Sequence, residues 1–146
     1  MAKLIKKTHT FMVSFEILTK SISLEDLSKK IKIHPSEGSR TIGQKNFNKR
    51  DPIQKNTWFK LSSVLPENAQ LERHLDSIIK NVEKSRVFKK GVLPKDSQLT
   101  FCIADACDFH KWAYFQLDVP EKYIVWCGKH NVSLQVVVYP WAEKSN

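Results

Sequence analysis

The stretch His9-Thr10-Phe11-Met12-Val13-Ser14-Phe15-Glu16-Ile17-Leu18 decides the fold. Phe11, Val13, Phe15 and Ile17 fall on one side, and Thr10, Met12, Ser14 and Glu16 on the other. Successive side chains of a strand point to opposite faces, so this period of two predicts a half-buried β-strand. A strand apolar on one side only belongs to a sheet that packs on one face and meets water on the other.

The rest of the chain supplies the packing layer. Ser23 is placed to cap a helix whose first turn holds Asp26, and Leu24, Leu27 and Ile31 share one face. His34-Pro35 predicts its end, because a residue before proline avoids the α region. Thr57–Ser63 alternates again, with Trp58 out of phase with Phe59 and Leu61. Pro66 opens the longest predicted helix, whose stripe is Leu71, Leu75, Ile78, Ile79 and Val82. Strands are predicted at Gln98–Ala104 and Trp112–Leu117. Asp118 and Pro120 signal a third helix with Tyr123, Ile124 and Cys127 inward. Asn131 closes it, and Ser133–Tyr139 is the last strand.

The expected order is β-α-β-α-β-β-α-β. It reads as an α+β two-layer sandwich, mainly antiparallel, with helices on one face, loosely ferredoxin-like. The 146 residues suit a single domain spanning 1–146. Within it, about 35–56 holds Gly38, Gly43 and Pro52 and no periodicity, and reads as a long basic loop.

Charge is distributed unevenly. Residues 1–60 hold thirteen Lys/Arg against five Asp/Glu, whereas residues 96–146 hold four against six, within a total of +9. Such asymmetry implies a basic face able to meet an acidic partner. Twenty of the cations are Lys and four are Arg, which disfavours the bidentate phosphate and guanine contacts that Arg makes. The basic N-terminus leads into no apolar stretch, and no run is long enough to span a bilayer. Three cysteines argue against a disulfide framework, so the expected compartment is the cytoplasm.

Motifs for chemistry are weak. Cys107/His110 and Cys127/His130 form two Cys-x2-His pairs, but Cys127 sits on an apolar helical side and the spacing is not the usual zinc pattern. Cys102 and Cys107 lie near Asp105 and Asp108, whose charge would raise a thiol pKa rather than activate it. Asp105, Asp108 and His110 read most simply as a solvated turn. There is no Gly-rich phosphate loop, nucleophile elbow or His-Glu-x-x-His. The expectation is therefore a non-enzymatic chain with no cofactor and no metal.

Surface attachment needs no motif. The candidate contacts are the loop cations Arg40, Lys45, Lys49 and Arg50, the aromatics Trp58 and Trp112, and the acids Asp105 and Asp108. The expected partner is a protein. Nucleic acid is the alternative, with the same cations on phosphates and Trp58, Phe47 and Phe59 near them. The expected state is a monomer or weak dimer, without membrane association.

The layout resembles an uncharacterised bacterial family of small α+β domains of unknown function. The residues that carry the resemblance are the opening strand Phe11–Ile17, the helix Leu24–Ile31, and Pro35 followed by Gly38 to Gly43. They continue with Trp58-Phe59-Lys60-Leu61, the helix Leu71–Val82 and the closing Val136-Val137-Val138-Tyr139. The chain departs from that pattern in having no Trp in the segment after Pro35. The resemblance implies no catalytic residues. It implies immunity-protein character, in which the chain binds and neutralises a bacterial toxin domain. At +9, such an inhibitor needs either a toxin with an acidic surface or its own acidic C-terminal third as the contact.

Overall fold

Phe11, Val13, Phe15 and Ile17 are all buried in the core, and Met12 beside them is half exposed. The computed structural model describes residues 9–46, 50–107 and 117–140. Its elements are β1 (His9–Thr19), α1 (Leu24–Ile31), β2 (Thr57–Ser62), α2 (Leu71–Lys84), β3 (Gln98–Cys107), α3 (Glu121–Lys129) and β4 (Ser133–Pro140). The four strands form one sheet in the order β2-β1-β3-β4. β1 pairs antiparallel with both β2 and β3, and β4 joins β3 in parallel. The expected α+β architecture, mainly antiparallel with one open face, is thus present.

The core lies between the helices and the sheet face that carries the odd-numbered residues of β1, β2 and β3 and Leu134 of β4. Phe15, Phe59, Phe101 and Ile103 meet Leu27 and Ile31 of α1, Leu75, Ile78 and Val82 of α2, and Tyr123 and Cys127 of α3. Phe15 and Phe101 contact edge to face, with centroids 6.3 Å apart. Each fully buried side chain of this size contributes roughly 1.5–3 kcal/mol of transfer free energy.

Local chemistry sets the helix limits. Ser23 caps α1, its Oγ accepting from the Asp26 N–H at 3.2 Å. Lys32, in the left-handed region at φ 58°, stops α1 before Pro35 is reached. Two expectations shift. Pro66 begins a turn, and α2 starts at Leu71. Pro120, and not Asp118, occupies the cap position of α3, and Ile124 faces outward at 52% exposure. Asn131 closes the turn after α3 at φ 55°, as expected. The strand expected at Trp112–Leu117 lies outside the described residues, apart from Leu117, which packs partly against the core.

The segment 35–56 is more ordered than its composition suggests. Arg40 and Trp58 exchange backbone hydrogen bonds at 2.8 and 2.7 Å. The Ser36 N–H donates to the Lys60 carbonyl, and the Ser62 N–H donates to Ser36 Oγ. Further out, Lys45 bridges to Ile53, so the segment folds back as a hairpin. It satisfies backbone groups along the outer edge of β2 that water would otherwise have to pair.

Candidate binding surface

The even-numbered positions of β1 face away from the helices, and the sheet register places their neighbours. Glu16 stands between Lys60 of β2 and Thr100 of β3. Ser14 stands between Ser62 and Cys102, and Cys102 is followed across the sheet by Gln135 of β4. Trp58 closes one end beside Leu18, and Tyr139 lies at the other beside Ala106. All of these but Thr100, Leu18 and Ala106 line a shallow groove of about 490 Å³ on the open face, together with Met12 and Glu67.

Its charged lining is Glu16, Glu67 and Lys60, one negative charge in excess. Lys60 Nζ lies 3.7 Å from Glu16 Oε1 and 5.2 Å from the centre of the Trp58 ring. The Lys60 stem runs beside Gly38, whose φ of +90° favours glycine; a Cβ there would meet Lys60 at ordinary contact distance, so the backbone and not space sets the preference. Cys102 is half-buried on this face. Burial, and then the Glu16 charge, push its thiol above the ordinary range, outweighing Lys60. A thiol held protonated is a poor nucleophile at neutral pH. What the groove offers is an aromatic face at Trp58, the exposed Met12 and Tyr139, and the polar tips of Ser62 and Gln135.

The residues singled out from sequence scatter across the molecule. Trp58 is half-buried in the groove. Arg40 is half-buried, held to Trp58 through backbone on the β2 edge. Lys45 and Arg50 are exposed on the hairpin beyond it. Asp105 is a correction: it lies within β3 on the core side, in register with Phe11 and Val138, and is fully buried, so it offers no surface to a partner. Lys49, Asp108, Trp112 and Phe47 lie outside the described residues.

Of the two Cys-x2-His pairs, His110 and the side chain of Cys107 lie outside the described residues, and the other pair is built into packing. Cys127 is buried in the core, and His130 stacks on Phe88 at 4.0 Å with the rings 17° from parallel. Among the described residues, no group of three or more His, Cys, Asp or Glu side chains is arranged to hold a metal ion. No described helix is long and apolar enough to cross a membrane. Glu16, Lys60, Gln135 and Tyr139 were not singled out from sequence as contacts. The signal for Glu16 was the polar phase of the opening strand, the half of the pattern that does not build the core.

A family model for a domain of unknown function, DUF4279, matches residues 8–141. The chain belongs to the DUF4279 family. No curated protein and no solved structure matches it. Membership spans all four strands and all three helices, so the grooved face lies wholly within the family's domain.

Proposed function

We propose that this DUF4279 chain is a non-enzymatic protein-binding module, and that it serves as an immunity protein that binds and neutralises a bacterial toxin domain. The observation that carries the reading is the open sheet face, where Trp58, Met12 and Tyr139 flank a shallow polar centre. Half-buried aromatics and methionine around hydrogen-bonding groups are the composition from which protein interfaces draw their anchors. The groove's ionisable groups also suit attachment better than bond-making. Glu16 and Lys60 neutralise each other, and the Cys102 thiol is held in its less reactive form.

The test is growth rescue. Toxin domains encoded beside the gene are expressed with this chain or with a double variant, Trp58→Ala and Tyr139→Ala. Rescue and a stable complex with the unaltered chain, lost in the variant, support the proposal. Substrate turnover abolished by one polar substitution in the groove, or the absence of any complex, overturns it.

A further inference from the structure

A cluster of cations without ion-pair partners among the described residues lies outside the segment 35–56. The Arg86 N–H donates to the Ile31 carbonyl at 3.0 Å, tying the turn after α2 to the end of α1. The Lys89 N–H then donates to the Arg86 carbonyl at 3.1 Å, winding that turn back on itself. Lys30 and Lys32 of one segment are thereby gathered with Lys84, Arg86, Lys89 and Lys90 of another. The five lysines are exposed and Arg86 is half-buried. None of the six has an ion-pair partner among the described residues. Glu83 keeps its charge beside them, one carboxylate against six cations. Glu25 pairs with Lys29 at 2.8 Å, and Glu83 accepts from Trp126 Nε1 at 3.0 Å. Asp26 belongs to the first turn of α1, at the helix's opposite end.

Helix chemistry explains part of this. Lys30 and Lys84 lie in last turns, where cations complement the helix dipole. Arg86 sits against the C-terminal end of α1, but Lys89 and Lys90 lie beyond the last turn of either helix. They add repulsion that an isolated chain would be more stable without.

We infer that this basic end receives the carboxylates of an acidic protein surface, an inference that rests on the protein-binding reading above and names the partner's chemistry. Protein carboxylates fit better than phosphates for two reasons. The patch is five lysines to one arginine, so it lacks the planar forks that grip phosphate in pairs. The adjacent rings are also occupied: Phe88 and His130 lie face to face, and Trp126 is tilted onto His130 at 4.8 Å. A nucleic acid strand would need open ring faces on which to stack its bases. The basic end steers and orients, while the sheet face supplies the anchors.

The test uses the full chain against two probes, poly-L-glutamate and a single-stranded oligonucleotide of equal charge. The variant carries Lys30→Glu, Lys32→Glu, Lys89→Glu and Lys90→Glu, and the control carries Lys45→Glu and Lys55→Glu. The expected result is salt-sensitive binding of poly-L-glutamate that falls by about tenfold or more in the variant and little in the control. Equal losses in variant and control, or tighter binding of the oligonucleotide by the unaltered chain, overturn the inference. Far-UV circular dichroism checks that the variant is folded, and the corresponding four Lys→Gln changes replace it if it is not. A toxin that binds the sheet face but is indifferent to the four charge reversals defeats this inference alone. The absence of any protein complex defeats the module reading.

Discussion

His74 is the residue whose placement has the clearest measurable consequence. It is buried on α2, its ring edge-on to Phe11, with Nδ1 2.7 Å from Ser63 Oγ. Burial holds its pKa below the ordinary histidine value of 6.5, as burial does for His130. The unfolded chain therefore takes up protons near pH 6.5 that the folded chain refuses. Stability is level above that pH and falls as pH drops below it. The urea midpoint is expected to decline from pH 7.5 to pH 5, and His74→Gln and His130→Gln each to flatten the decline. A midpoint unchanged across that range would contradict this account. Tyr123 gives a second prediction. Its hydroxyl donates to Asp76 Oδ1 at 2.8 Å from an almost fully buried ring, so Tyr123→Phe is expected to lower stability by about 1 kcal/mol in urea titration. Asp105 shows what a linear reading overlooks. It shares phase with Phe101 and Ile103, and strict alternation along β3 would have turned it inward. Its charge instead suggested a solvated turn.

At the scale of elements, periodicity carried the reading wherever packing decides structure. The opening strand and the stripe Leu71, Leu75, Ile78 and Val82 were legible because burial repeats every two or every 3.6 residues. Phe15 is fully buried between sheet and helices, so Phe15→Ala is expected to cost about 3–5 kcal/mol and to lower the thermal midpoint steeply. The segment 35–56 was not legible in the same way, because periodicity does not report the bonds that order it. Thr57 Oγ1 donates to the Ile22 carbonyl and accepts from the Ile42 N–H, while Thr41 Oγ1 accepts from the Leu24 N–H. These are cross-links between distant segments, each from a single hydroxyl. Gly38 belongs to the same system. At φ +90° its replacement by alanine is expected to cost about 1–2 kcal/mol in urea titration. The groove depended on strand register in the same way. Glu16 opposite Lys60 and Ser14 opposite Cys102 are facts of pairing, which one sequence does not specify.

For the whole molecule, the net charge of +9 was visible at once, but the gathering of these cations was not. Counting along the chain pointed to the segment 35–56, whereas the fold gathers Lys30 and Lys32 against Arg86, Lys89 and Lys90. A field concentrated at one end acts mainly on encounter. The association rate with an acidic protein is therefore expected to fall as salt is added, while the dissociation rate changes little. Stopped-flow mixing at several ionic strengths measures both, and salt sensitivity confined to dissociation would refute the steering role. The sheet order carries a different implication, for how the chain is made. β1 lies between β2 and β3, so Phe15 cannot reach its register with Phe101 until most of the chain has left the ribosome. At about 5–20 residues per second, the opening strand waits several seconds with its phenylalanines unsheltered. During synthesis, then, the segment that later becomes the middle of the sheet is the one most in need of a chaperone's custody.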